Sequence, residues 1–471
     1  MLKKILLLIP LLVFAGCTSV ADFFSEEEKS TILLLYTNDE HGHIYENDGW
    51  YKGVALYEMW EEEEKNCKNC HVIKISGGDN YTGTAVSTFF KGASMAEVMG
   101  LLGYKAAALG NHEFDFGKSE LTANSRTAKM PYICSNFVPK DKNSVTEPYF
   151  VHYAGSVKML FVATITEETL QISRAPAFVE SDIVDPLLPV SQAIASEKAD
   201  IDVVIAHESY KDAKNWIGKL PKKPLVVFTG HDHKEAVTET GGVFFVQNAG
   251  YLPGYAKVLI EKNGKKFHVV KAETVPLKRE ISLESKGSLE VKKTLDKYLT
   301  QLGKKAGEKL VYAGKPLDTA SLQRLFACSM LESFSDYDAA ISNPGGFRDT
   351  IKAGNLTKSD ILSIFPFENF IVEAAEVGGD DLLYDISLSE NAYCIRKGVR
   401  IGRGKKYKVV TSDFIYQGGD GYRFTNSQGM TTDMSWRTPL EKFMLKTSSE
   451  GLSLEEGYEK LTEKYEKPRD Q

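Results

Sequence analysis

The sequence has little of several features that would place a protein in a broad class. Basic residues are not in excess: 57 Lys and Arg stand against 64 Asp and Glu, a formal net charge of −7. Nucleic-acid-binding domains need a basic surface for the phosphates, so we expect no nucleic-acid partner. No internal repeat is evident in the sequence. The 471 residues, 42% of them hydrophobic, are typical of a globular protein of two or three domains.

An apolar run long enough to cross a bilayer is missing as well. The run near the start covers only residues 5–14, after Lys3 and Lys4, and is too short to span a membrane. It leads into FAGC, which resembles a bacterial lipobox. The resemblance implies a lipoprotein signal peptide at 1–16, acylation of Cys17, a lipid-anchored tether at 17–30 and a location outside the cytoplasm, facing the periplasm or at the cell surface. An ordinary secretion signal is the alternative.

Cysteines are also few, six in all. Cys67 and Cys70 form the segment CKNC, whose spacing suits a zinc knuckle, but no second CxxC pair exists to complete four ligands. Outside the cytoplasm a local disulfide is the better interpretation.

Several strand-like segments end in side chains that can bind metals. Five apolar runs are followed by a carboxylate, an amide or a histidine: TILLLY by TNDEHGH, HVIKIS by GGDN, KAAAL by GNHEFDFG, IDVVIA by HESY, and PLVVFT by GHDHK. In α/β sheets, sites form beyond the carboxyl ends of strands. We therefore expect one crevice to collect Asp39, His41, Asp79, Asn111, His112, His207, His231 and His233.

The chemistry of this set indicates two metal ions. Mixed oxygen and nitrogen ligands suit Zn, Mn, Co or similar ions better than calcium or a thiolate cluster. Seven candidate ligands are too many for one tetrahedral ion, whereas two ions that share a bridging carboxylate account for them. Ion pairs about 3.5–4 Å apart are typical of phosphoester hydrolases.

The motifs NDEH, GGDN, GNHEFD, AHE and GHDH, in this order, resemble the calcineurin-like metallophosphoesterases, and more narrowly the 5′-nucleotidase family. The resemblance implies two ligand sets that share Asp79. One ion is held by Asp39, His41, Asp79 and His233, and the other by Asp79, Asn111, His207 and His231. The remaining His112 matches a catalytic histidine oriented by Asp115, which stabilises charge on the phosphoryl group. A plain structural hydrogen bond is the alternative for this pair.

The second half of the sequence extends the resemblance. SNPGGFRDTI, FPFEN and DFIYQGGDGYRF resemble the substrate domain of the same family. The resemblance implies that Arg348 contacts phosphate or ribose and that Tyr393 and Tyr422 sandwich the base, although Tyr393 also suits an ordinary packing role. Glu368 replaces a common glycine, and no acidic ribose contact is evident after Tyr422. These departures leave the substrate open.

The expected fold class is α/β. A metallophosphoesterase α-β-β-α sandwich at 31–277 is joined by a linker helix at 278–308 to a smaller α/β nucleotide-binding domain at 309–447, followed by a tail at 448–471. In the linker, Ser288 is the expected N-cap and Gly303 the expected stop. An apolar stripe marks its buried face: Val291, Leu295, Tyr298, Leu299 and Leu302.

These observations predict an enzyme, a two-metal phosphomonoesterase that hydrolyses nucleoside 5′-monophosphates outside the cytoplasm. Two alternatives remain. One keeps the metals and takes UDP-sugars or 2′,3′-cyclic nucleotides as a phosphodiesterase. The other is a non-catalytic surface lipoprotein for nucleotide binding or adhesion.

Overall fold

The computed structural model describes residues 31–140, 146–173 and 181–466. The predicted signal peptide, the tether and Cys17 lie outside these ranges. Within them, no helix combines the length and the apolar character needed to cross a membrane.

The amino-terminal domain is built from strands and helices in mixed order. Its strands are β1 (Thr31–Thr37), β2 (Cys70–Ser76), β3 (Ala106–Ala108), β4 (Tyr132–Ile133), β5 (Phe137–Pro139), β6 (Tyr149–Ala154), β7 (Val157–Ile165), β8 (Ser181–Ile183), β9 (Ile201–His207), β10 (Val226–Thr229), β11 (Ala236–Thr240), β12 (Val243–Gln247), β13 (Gly254–Asn263) and β14 (Lys266–Pro276). Its helices are α1 (Lys52–Asn66), α2 (Ala85–Phe89), α3 (Ala93–Leu102), α4 (Lys118–Ala128), α5 (Thr169–Ile172), α6 (Leu187–Glu197) and α7 (Tyr210–Ile217).

Two six-stranded sheets stack face to face in this domain. Their orders are β14-β13-β1-β2-β3-β4 and β11-β12-β10-β9-β7-β6. In β1, Ile32, Leu34 and Tyr36 face the layer between the sheets, whereas Leu33 and Leu35 face the outer helices. This period of two is what a strand buried on both sides requires. Helices α6 and α7 cover the second sheet, and the predicted α-β-β-α sandwich is confirmed.

The linker helix is α8 (Lys286–Ala306), which packs against α1 and α3. Its predicted stripe faces the protein, with Val291, Leu295 and Leu302 buried. Both predicted ends need correction. The N-cap is Ser285, whose side chain accepts a hydrogen bond from the Ser288 N–H at 3.1 Å. The helix continues through Gly303, because an isolated glycine weakens a helix without ending it.

The carboxy-terminal domain has a five-stranded sheet of order β19-β16-β20-β18-β21 and a two-stranded sheet β15-β17. Its strands are β15 (Lys309–Ala313), β16 (Ala339–Ile341), β17 (Gly354–Thr357), β18 (Phe370–Gly378), β19 (Tyr393–Ile395), β20 (Lys406–Ser412) and β21 (Gln428–Ser435). Its helices are α9 (Thr319–Ser333), α10 (Lys358–Ile364), α11 (Gly379–Leu388), α12 (Asp413–Tyr416), α13 (Thr438–Ser449) and α14 (Leu454–Thr462).

This domain extends beyond the predicted boundary at residue 447. Leu454 and Leu461 of α14 are buried in its core, together with Tyr465. The described part of the expected tail is therefore structural, because an amphipathic helix buries its apolar face against α9 and β15.

Two disulfides lie within the described residues. Cys67 and Cys70 are bonded to each other, as the sequence predicts. A second bond, which the sequence analysis did not anticipate, joins Cys328 on α9 to Cys394 on β19.

Candidate active site

The five segments that follow β1, β2, β3, β9 and β10 meet at one end of the sandwich. β1, β2 and β3 run parallel, as do β9 and β10, so their carboxyl ends share an edge. Several residues there take left-handed backbone angles: Asp39 (φ 52°), His41 (46°), Asp79 (55°), His231 (73°) and His233 (59°). Asp and His tolerate this region better than branched residues do.

The first group of converging side chains consists of Asp39, His41 and His233, whose potential ligand atoms all lie within 4.8 Å of one another. The Nε2 atoms of His41 and His233 are 3.2 Å apart, and Nε2 of His233 is 3.7 Å from an Asp39 oxygen. Nitrogen and oxygen ligand atoms this close to one another suit the binding of one shared cation.

A second group adjoins the first and consists of Asp79, His207 and His231. The Asn111 side-chain oxygen joins it, 3.2 Å from Nε2 of His207 and 2.9 Å from Nδ1 of His231. One carboxylate oxygen of Asp79 lies 3.2 Å from His207 and 3.8 Å from His41 in the first group. Asp79 thus lies between the two groups.

Backbone carbonyls orient two of the imidazoles. Nδ1 of His41 is 2.8 Å from the Thr82 carbonyl oxygen, and Nδ1 of His207 is 2.8 Å from that of Gly77. A carbonyl only accepts, so Nδ1 of each ring carries a proton, which leaves Nε2 as the ring atom that can bind an ion. This arrangement is usual for metal-binding histidines.

Burial favours neutral histidines at three positions. It lowers the pKa of His231 to about 4 and also lowers the pKa of His41 and His233. His207 differs. Burial opposes its charged form, but Asp79, Asp39 and the Gly77 carbonyl together outweigh burial and raise the pKa of His207 to about 10. A cation bound beside Asp79 would have to displace that proton.

Glu113, to which the sequence analysis assigned no role, ties two of these loops together. Its carboxylate is buried and accepts hydrogen bonds from the backbone N–H groups of Asp79, Asn80 and Gly110, each at 2.8 Å. The side-chain amide of Asn80 donates a fourth bond at 2.9 Å. Gly110 is required beside it, because a β-carbon there would overlap the Asp79 carboxylate.

His112 and Asp115 form the expected pair, with Nδ1 of His112 2.8 Å from an Asp115 oxygen. Burial opposes the charged imidazole, but the carboxylates of Asp115 and Asp79 outweigh it and raise the pKa of His112. Nη2 of Arg348, from the other domain, lies 3.3 Å from Nε2 of His112. The Arg348 Nε is buried and has no hydrogen-bond partner among the described residues, and the Arg348 side chain lines the cleft.

The cleft that contains these groups has walls from both domains and a cavity volume of about 180 Å³. His112, Asp115 and Ile172 line it from one side, and Arg348 and Phe414 from the other. Asp420 also lines it and accepts a 2.7 Å hydrogen bond from the Asn343 side chain.

Tyr393 and Tyr422 do not line this cleft. They are 8% and 4% exposed and pack in the core between the five-stranded sheet and its helices. The Tyr422 hydroxyl donates to the Ser342 carbonyl at 3.2 Å. The structure therefore gives both residues a packing role here, and the aromatic rings at the cleft are Phe367 and Phe414.

Two adjoining groups of buried oxygen and nitrogen donors fit two divalent ions of the Zn, Mn or Co type. Beside them stand a histidine–carboxylate pair and a guanidinium with an unpartnered donor. This combination defines a metal-dependent phosphoesterase.

Comparisons with known proteins agree with this class. Residues 32–235 match the calcineurin-like phosphoesterase family, and residues 303–394 match the 5′-nucleotidase C-terminal domain. A 5′-nucleotidase of Vibrio cholerae is 23% identical over 89% of this chain and 91% of its own length. Protein UshA of Escherichia coli is 23% identical over the same shares. The crystal structure of a 5′-nucleotidase precursor from Thermus thermophilus superimposes with a TM-score of 0.76 at 20% identity, covering 88% of this chain and 96% of that one.

The chain belongs to the calcineurin-like metallophosphoesterases and carries the C-terminal domain found in 5′-nucleotidases.

Proposed function

We propose that this protein hydrolyses nucleoside 5′-monophosphates to nucleoside and phosphate outside the cytoplasm. The observation that carries the proposal is the shared cleft. Members of both groups of metal donors line it, together with a ring and a carboxylate from the nucleotidase-type domain, Phe414 and Asp420. Relatives named 5′-nucleotidase span nearly the whole chain.

In this proposal the ions are held by the two sets that share Asp79: Asp39, His41, Asp79 and His233 for one, and Asp79, Asn111, His207 and His231 for the other. When bound, two divalent ions activate a water nucleophile and offset charge on the phosphoryl oxygens. Nε2 of His112 donates a hydrogen bond to a phosphoryl oxygen, while Asp115 holds the opposite ring edge. Arg348 binds the same group through its guanidinium.

The nucleoside is assigned to the wall formed by Phe414 and Asp420, which revises the assignment made from sequence. The Phe414 ring offers a face for a planar base, and the Asp420 carboxylate accepts hydrogen bonds from ribose hydroxyls. Tyr393 and Tyr422 support this wall from the core.

Location outside the cytoplasm, through an acylated Cys17, is part of the proposal. The two disulfides support it, because such bonds persist in oxidising compartments. Mass analysis of the mature amino terminus, with a Cys17→Ser control, tests the anchor.

Phosphate release from AMP, UDP-glucose, 2′,3′-cyclic AMP and p-nitrophenyl phosphate, with and without Mn²⁺ or Co²⁺, tests the activity. We expect metal-dependent release with AMP preferred. Faster turnover of either diester would replace the proposal with a phosphodiesterase. No turnover of any substrate with both ions bound would favour a binding lipoprotein.

A further inference from the structure

Phe367 occupies a position that the catalytic assignment leaves unexplained. It lies in the loop between α10 and β18, in the segment FPFEN, and its half-buried ring lines the cleft. The backbone of this loop is anchored in the carboxy-terminal domain. Trp436 donates from Nε1 to the Phe367 carbonyl at 3.0 Å, and Arg437 donates from Nη1 to the same oxygen at 2.8 Å.

The ring itself contacts the two groups assigned to the phosphoryl oxygens. It stacks on the His112 imidazole, with centroids 5.6 Å apart and planes inclined by 29°. The guanidinium carbon of Arg348 lies 5.2 Å from the centre of the same ring. One side chain therefore touches both groups, which are themselves 3.3 Å apart.

Neither group is fully oriented without this ring. Asp115 holds His112 at Nδ1, but the torsion that sets the plane of an imidazole has a broad minimum. Arg348 has a long side chain, and its Nε has no partner among the described residues. Stacking restrains the imidazole plane, and the electron-rich face of the ring attracts the guanidinium.

We propose that Phe367 is a positioning residue, through which the carboxy-terminal domain holds His112 and Arg348 side by side for the phosphoryl group. This inference rests on the proposed function. His112 belongs to one domain and Phe367 to the other, so the catalytic histidine is correctly oriented only while the two domains are docked as they are here.

The test compares Phe367→Leu and Phe367→Met, which remove the ring, with Phe367→Tyr, which keeps it. With p-nitrophenyl phosphate and saturating metal, kcat should fall on the order of tenfold in the first two variants. The tyrosine variant should stay within about twofold of the wild type. Bound metal should be unchanged in all three. Phe370→Leu is the matched control, because Phe370 begins β18 directly after this loop and is 38% exposed.

Pairing each variant with His112→Ala separates positioning from general support of the fold. If Phe367 acts mainly through His112, its loss should cost less than about threefold in kcat when His112 is already absent, since only the Arg348 contact remains. An equal loss in both backgrounds, or full activity in the leucine variant of an active enzyme, would overturn the inference alone. An inactive wild type would overturn the proposed function with it.

Discussion

Glu113→Gln should destabilise the catalytic domain more than its conservative chemistry suggests. The two Glu113 oxygens accept four hydrogen bonds: Oε2 from the N–H groups of Asp79 and Gly110, and Oε1 from the N–H and the side-chain amide of Asn80. A glutamine keeps only one oxygen. Whichever way it is oriented, its NH₂ group faces two donors. Each buried donor without an acceptor costs about 1–3 kcal/mol, so we expect a loss of about 2–6 kcal/mol.

Urea unfolding followed by circular dichroism measures this loss, and titration with Co²⁺ measures its effect on the metal site. Metal affinity should fall too, because Glu113 joins the loops that carry Asp79 and Asn111. Glu120→Gln, nearby and with a side chain that is 32% exposed, should change stability by less than about 0.5 kcal/mol. If the two variants unfold at the same urea concentration and bind Co²⁺ equally, the role given to Glu113 is wrong.

Outcomes are expected for four further variants. Asp79→Asn should lower the occupancy of both metal sites by elemental analysis, and loss of one ion only would show that Asp79 is not shared. His112→Ala should keep both ions and lose about 10²–10³ in kcat, whereas loss of metal would make His112 a ligand. Phe414→Ala should raise KM for AMP roughly tenfold and leave p-nitrophenyl phosphate nearly unaffected, while Tyr422→Ala should mainly lower stability. Equal effects of Phe414→Ala on both substrates would place the base elsewhere.

The metal end of the site could be located from sequence because strands impose a simple rule. Buried strands appear in the sequence as short apolar runs. The carboxyl ends of parallel strands lie at one edge of the sheet, so the residues that follow these strands come together there. The grouping of Asp79 and His207 needed only that rule and the preference of metals for such donors. The assignment of individual ligands to individual ions came from the family resemblance and stays a prediction.

The residues at the nucleoside end of the site could not be predicted from the sequence in the same way. In the segment GGDGY the backbone forms a short 3₁₀ turn, with Asp420 in the left-handed region (φ 53°), so neighbouring residues follow no fixed alternation. Asp420 therefore faces the cleft while Tyr422, two residues on, is buried in the core. Glu113 was overlooked for another reason: three of its four partners are backbone N–H groups, which every sequence contains.

The left-handed backbone angles of the metal-site residues affect which substitutions the site would accept if it no longer bound metal. Asp39, His41, Asp79, His231 and His233 all hold backbone angles that glycine adopts with less strain. Asp39 and Asp79 also accept hydrogen bonds from the backbone N–H groups of His231 and His112, which a glycine would leave unpaired. Without ions to bind, glycine at His41, His231 or His233 would cost no ligation and would relieve the strain, so in a lineage that had abandoned catalysis glycine should accumulate at these three positions sooner than at the neighbouring strand residues. In this chain all five retain a side chain that can bind a metal.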